Sequence, residues 1–123
     1  MKDQTALEKV VVADEAFDRA MKDADDASRS GNDARAADVL RDQARPAGAA
    51  ALSAAKGAGV ETDWGKARKD ELASVIGDRT AELPRYEEAL RSGDPAKKLA
   101  ALEKQIDLQK RALNAAAAVR KGK

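Results

Sequence analysis

The feature that most constrains the fold is a helix start followed by a long apolar stripe near the C-terminus. Asp94 stands where a side chain caps free N–H groups, and Pro95 suits the first helical position because no N–H is needed there. A row of residues at alternating spacings of three and four predicts a helix packed lengthwise in the core. The row consists of Leu99, Leu102, Ile106, Gln109, Leu113 and Ala116.

Three earlier segments repeat this spacing, so we predict four helices, at about 5–29, 33–57, 63–91 and 94–120. Short connections containing Gly31, Gly57 and Gly93 favour antiparallel neighbours. The expected fold is all-α, an antiparallel up-down-up-down four-helix bundle formed as a single domain by residues 1–123. A long, bent hairpin array that completes its core as a homodimer is the alternative.

The two halves of the chain resemble each other. Arg29-Ser30-Gly31-Asn32 and Arg91-Ser92-Gly93-Asp94 lie 62 residues apart. The same offset places alanines of the second helix on larger residues of the fourth and predicts two similar helical hairpins, by duplication or by the chance alignment of heptads. The aligned pairs are Ala37 with Leu99, Ala44 with Ile106 and Ala51 with Leu113.

Two prolines fall inside predicted helices, where each disfavours the helix by about 3 kcal/mol. Pro46 predicts a kink or break near residues 43–45, and Pro84 predicts a kink in the third helix. The candidate binding site is the bent middle of the bundle, where a groove would accept a partner helix or a small ligand. Its predicted residues are Pro46, Gly48, Arg79, Pro84 and Tyr86. An ordinary bundle that tolerates two prolines is the alternative.

Arg79 occupies an apolar position that the repeat fills with Phe17. A buried guanidinium needs a carboxylate, and Asp14 or Asp18 on the first helix is the expected partner. Alternatively, the stem of Arg79 lies on the core and its head reaches water. Tyr86 and Trp64 are either a ligand-stacking pair or core residues.

Composition weighs against an enzyme. The chain has no His and no Cys, which removes the commonest general base, thiol chemistry and thiolate metal ligands. Asp23, Asp25 and Asp26 do not fit a calcium-binding loop, because Ser28 and Ala34 stand where that loop needs Gly and Glu. We therefore predict no catalytic residues, no metal and no cofactor. The 29 alanines and three aromatic residues also predict a thin core.

Charge and hydropathy restrict the partners. The 23 basic and 22 acidic side chains nearly cancel, which makes nucleic acid an unlikely partner. Residues 1–31 sum to −3 and residues 94–123 to +5, so the first and last helices either complement each other or present a basic face to an anionic partner. No apolar run approaches the roughly 20 residues of a membrane span. The expected location is cytoplasmic as the sequence stands, and periplasmic or secreted if a leader was removed.

The sequence is compatible with three functions. A non-catalytic helical binding or scaffolding module, acting on another protein, fits best with amphipathic helices that lack catalytic residue types. The second is an exported or lipid-anchored bacterial envelope protein whose bundle binds or senses a small ligand. The third is an accessory nucleic-acid-associated protein that uses the basic fourth helix. An upstream signal peptide would favour the second hypothesis over the first.

Overall fold

The computed structural model describes residues 2–122 and is an all-α four-helix bundle, with 91% of these residues in helices. Helix α1 is Lys2–Arg29, α3 is Asp63–Ser92 and α4 is Pro95–Lys121. Helix α2 has three consecutive parts, Asp33–Val39, a π-helical turn at Leu40–Ala44, and Arg45–Gly57. The described residues contain no strand.

The helix starts follow the local chemistry of the sequence. The side chain of Asn32 accepts a hydrogen bond from the backbone N–H of Arg35 at 3.0 Å. The carboxylate of Asp94 accepts one from the N–H of Ala96 at 2.9 Å, which confirms the predicted cap of α4. Gly31 and Gly93 take positive φ angles of 84° and 70°, a conformation that favours glycine and turns the chain back after α1 and α3.

The two prolines have different effects on the backbone. Before Pro46, the N–H of Arg45 bonds to the carbonyl of Leu40, five residues earlier. Pro46 has no N–H for the usual bond and its ring crowds the preceding turn, so a wider π turn replaces the predicted kink or break there. Helix α3 continues without interruption through Pro84.

Two apolar clusters fill the bundle, and they differ in how many helices build them. The cluster at the α1 N-terminal end takes buried residues from all four helices, including Leu7, Ala51, Ile76 and Val119. The other cluster buries only residues of α1, α2 and α3, and α4 contributes the partly buried Ala101 and Leu102 at its edge. The bundle is therefore closed by four helices at one end and by three at the other.

Candidate functional site

A cleft lies between α1 and α4 at the end where α4 contributes little to the core. It encloses about 360 Å³. Residues of α1 and α4 form its walls, and two residues of α3 lie at its floor. The residues that line it are Asp18, Arg19, Met21, Lys22, Asp25, Arg29, Arg79, Tyr86, Leu102, Gln105, Ile106 and Gln109.

Ion pairs close the cleft at its two ends. At one end, the guanidinium of Arg120 on α4 pairs with the carboxylates of Glu8 and Glu15 on α1 at 2.8 and 3.0 Å. Near the other end, the ammonium of Lys98 pairs with Asp33, at the start of α2, at 2.9 Å. No hydrogen bond or ion pair joins α4 to residues 18–29 of α1 within the described chain, so the middle of the cleft is open.

The apolar row that the sequence predicts for the core of α4 is mostly exposed. Leu99, Ile106 and Leu113 are 55%, 44% and 55% exposed, and Leu102 is half-buried. The prediction that this row forms the core seam is therefore wrong. The residues that α4 buries form a neighbouring row with the same spacing, Gln105, Leu108, Ala112, Ala115 and Val119. Because both rows have helical periodicity, spacing alone does not select between them.

The exposed row, here called the α4 stripe (Leu99, Ile106 and Leu113), differs in burial from the positions aligned with it in the first half of the chain. Its three residues lie 62 positions after Ala37, Ala44 and Ala51. These three alanines are completely buried in α2. Equivalent positions are thus covered in the first hairpin and bare in the second. The large side chains at the bare positions form an exposed apolar row on α4.

Arg79 forms the charged centre of the bundle. Its side chain is 1% exposed, and its guanidinium pairs with Asp14 at 3.0 Å and with Asp18 at 2.6 Å. The guanidinium also lies over the ring of Phe17, 4.4 Å from the ring centre. The prediction of a carboxylate partner on the first helix is confirmed, and the alternative of a head in water is wrong.

The carboxyl group of Asp14 has a shifted pKa. Burial raises this pKa from 3.8 to about 6, with the nearby carboxylates of Asp18 and Glu15 also raising it and Arg79 opposing the rise. A carboxyl whose pKa is higher in the folded state takes up its proton preferentially on folding. Its contribution to stability is therefore complete below pH 3.8 and is lost as the pH rises through 6.

We predict that the stability of the parent protein, measured relative to Asp14→Asn, rises as the pH falls from 7 to 4. The expected gain is about 1 to 3 kcal/mol, because one pKa unit corresponds to about 1.4 kcal/mol. Urea unfolding of both proteins at several pH values measures it, and carbon NMR of the Asp14 carboxyl should show a midpoint near pH 6. A parallel pH dependence of the two proteins would contradict this assignment.

Gln105 is the unexpected residue of the cleft. Its side chain is buried in the inner row of α4, with 6% of its surface exposed. Neither the amide nitrogen nor the amide oxygen has a hydrogen-bond partner in the described part of the chain, and the same holds for Nε of Arg79. Buried polar atoms normally have a partner, so the unpaired amide of Gln105 is an unusual feature of a cleft wall.

The predicted site residues separate in the structure. Arg79 and Tyr86 both line the cleft, and burial raises the pKa of Tyr86 to about 12. Pro46 and Pro84 are exposed and do not line it, while Gly48 is buried inside the bundle. Trp64 packs on the other apolar cluster, so it forms no stacking pair with Tyr86. Sequence reasoning missed Gln105, and its polar side chain gave no signal of burial.

Gly48 has a packing role. A Cβ atom at this position would lie 2.6 Å from Cγ2 of Thr80 and 3.2 Å from Cζ of Phe17. The Thr80 methyl group is held in place because its hydroxyl donates to the carbonyl of Gly77 at 2.9 Å. The absence of a side chain at Gly48 therefore lets α2 approach α1 and α3 closely.

We predict that Gly48→Ala lowers the free energy of unfolding by about 1 to 3 kcal/mol, because overpacking outweighs the better helix propensity of Ala. The control is Gly57→Ala, since nothing lies within 4 Å of the added Cβ there. Thermal or urea unfolding measures both variants. Equal or greater stability of Gly48→Ala than of Gly57→Ala would show that the close approach does not limit packing.

Two basic side chains near the cleft or the α4 stripe form no ion pair within residues 2–122. Arg19 on α1 lines the cleft, and Lys110 lies one turn after Ile106 on α4. The acidic groups Asp18 and Asp25 that line the cleft are already paired, with Arg79 and Arg29 respectively. Among the acidic residues of α4, Glu103 lies nearest by helical spacing to the side of the stripe that faces away from the cleft.

The described residues show no arrangement for metal binding or membrane crossing. No group of three or more acidic residues is placed to hold a metal ion within residues 2–122. Asp25 and Asp26 from the predicted acidic cluster pair with Arg29 and Lys22 at 3.0 Å each. In the same part of the chain, no helix combines the length and the apolar character needed to traverse a bilayer.

Comparisons with models of protein families, with characterised proteins and with solved structures found no significant match. The functional argument therefore rests on the cleft itself. Its lining combines apolar side chains, the buried amide of Gln105 and charged groups of both signs.

Proposed function

We propose that this protein is a non-catalytic recognition module that binds an amphipathic helix of a partner protein along the α4 stripe and over the adjoining cleft between α1 and α4, which Ile106 of the stripe also lines. The observation that carries the proposal is the α4 stripe, with Leu99, Ile106 and Leu113 all about half exposed at spacings of seven residues. Residues seven apart lie on one face of a helix, so the stripe is suited to contact another helix along its length.

Charge selects the chemistry of the partner helix. Arg19 on the cleft wall and Lys110 beside the stripe form no ion pair within residues 2–122, so acidic residues beside the partner's apolar face would be attracted to them. Lys110 lies four residues after Ile106 and three before Leu113, which places it on the same side of α4. The expected occupant is therefore a helix with an apolar stripe and acidic flanks.

A designed peptide tests this proposal directly. It has about 20 residues, or roughly 30 Å of helix, with Leu along one stripe, Glu on its flanks and Ala elsewhere. A second peptide carries Lys in place of every Glu. Fluorescence anisotropy measures the affinity of each labelled peptide for the full chain, and the acidic peptide should bind more tightly.

Variants of the protein give the matched controls. Ile106→Gln should weaken binding of the acidic peptide about tenfold or more, since a central apolar contact is lost. Lys110→Glu should also weaken binding of the acidic peptide, and the effect should be larger at low salt than at high salt. Arg85→Glu makes the same change of charge on an exposed residue outside the cleft and should leave the affinity unchanged. Absence of binding, or equal binding by Ile106→Gln, would overturn the proposal.

A second copy of the chain is the competing occupant of the cleft. Sedimentation velocity of the parent protein and of Ile106→Gln separates the two cases. A monomer that binds the acidic peptide supports the proposal. A dimer that Ile106→Gln converts to a monomer would replace the partner protein by a second copy.

A further inference from the structure

The buried amide of Gln105 indicates which side chain the docked helix places in the cleft. The side chain of Gln105 lines the cleft beside Arg79 and Tyr86, and its amide donor and acceptor are covered by the protein without a hydrogen-bond partner in the described chain. Leaving both groups unpaired is costly in a buried position. A group that accepts from Nε2 and donates to Oε1 at the same time removes that cost.

The charges at the floor of the cavity exclude the charged candidates. Arg79 already pairs with the two carboxylates of Asp14 and Asp18, so the floor has no surplus positive charge for an incoming carboxylate. A carboxylate would also leave Oε1 of Gln105 without a donor, and an ammonium group would leave Nε2 without an acceptor. A carboxamide has both an N–H donor and a carbonyl acceptor, and it is neutral.

The walls of the cavity match the rest of such a side chain. Met21, Leu102 and Ile106 provide apolar contacts for the methylene groups that carry a terminal amide. We propose that the helix docked in the cleft inserts a Gln or Asn side chain whose carboxamide pairs with that of Gln105. The inference rests on the proposed function, because it assigns a specificity-determining residue within the same cleft.

A double-mutant cycle tests the pairing. The acidic helical peptide is made as a panel, with Gln or the similarly shaped but apolar Met at each central stripe position in turn. Affinities are measured for the parent protein and for Gln105→Met. At one position, the parent protein should prefer the Gln peptide about tenfold, and Gln105→Met should lose or reverse this preference. Circular dichroism checks that Gln105→Met remains folded.

The outcomes separate this inference from the function on which it rests. If every peptide binds the parent protein but none shows a preference that depends on Gln105, the carboxamide pairing is wrong and the docking function stands. If no peptide of the panel binds, both are wrong. A Gln preference that persists unchanged in Gln105→Met would place the recognition of the amide elsewhere in the cleft and overturn the assignment to Gln105.

Discussion

Arg79→Met should lower the free energy of unfolding by about 3 to 5 kcal/mol, one of the two largest effects that we expect from a single substitution. Removing the guanidinium leaves the carboxylate of Asp14 buried without its partner, and it also removes the contact with the ring of Phe17. The variant should regain part of the loss as the pH falls, because a protonated Asp14 no longer needs a cation. Urea unfolding at pH 7 and pH 5 measures both effects.

Two further variants show whether this loss comes from the buried pair. Arg85→Met removes a guanidinium from the same helix at a side chain that is 80% exposed, and it should be nearly neutral. Adding Asp14→Leu to Arg79→Met removes both members of the buried pair and should recover much of the stability. Equal losses for Arg79→Met and Arg85→Met would contradict a buried ion pair at the centre of the bundle.

Leu108→Ala should destabilise the fold by about 2 to 5 kcal/mol, whereas Leu113→Ala should change its stability by about 0.5 kcal/mol or less. Both substitutions remove the same atoms from the same helix. Leu108 is 2% exposed and Leu113 is 55% exposed, so only the first leaves a cavity. Thermal unfolding of the two variants provides the comparison. A larger loss for Leu113→Ala would show that α4 buries the other row, as its sequence alone suggests.

The helix boundaries could be read from the sequence because they depend on local chemistry. Asp94 and Pro95 mark the start of α4, and the predicted segment 33–57 coincides with α2. Helix α1 begins at Lys2, about one turn before its predicted start, because its stabilising contact is distant in sequence. There the carboxylate of Asp3 accepts hydrogen bonds from the backbone N–H groups of Glu61 and Thr62 at 3.0 and 2.9 Å.

The candidate site was only partly predictable. An arginine at a core position requires a carboxylate, so the partners of Arg79 followed from helical spacing. The cleft could not be predicted from helical spacing, because α4 carries two adjacent apolar rows. The approach of α4 to α1 depends on the packing of all four helices. The sequence predicted a kink or break at Pro46, whereas a π turn before it absorbs the local conflict within a helix that continues.

Nuclear magnetic resonance of the isotope-labelled protein with the acidic helical peptide tests the central claim most directly. Amide shifts should concentrate on residues 18–29 of α1 and 99–113 of α4, and they should be lost in Ile106→Gln. The exposed surfaces of α2 and α3 should remain unchanged. Shifts centred on Pro46 or Pro84, or a pattern that survives in Ile106→Gln, would contradict a docking surface formed by the α4 stripe.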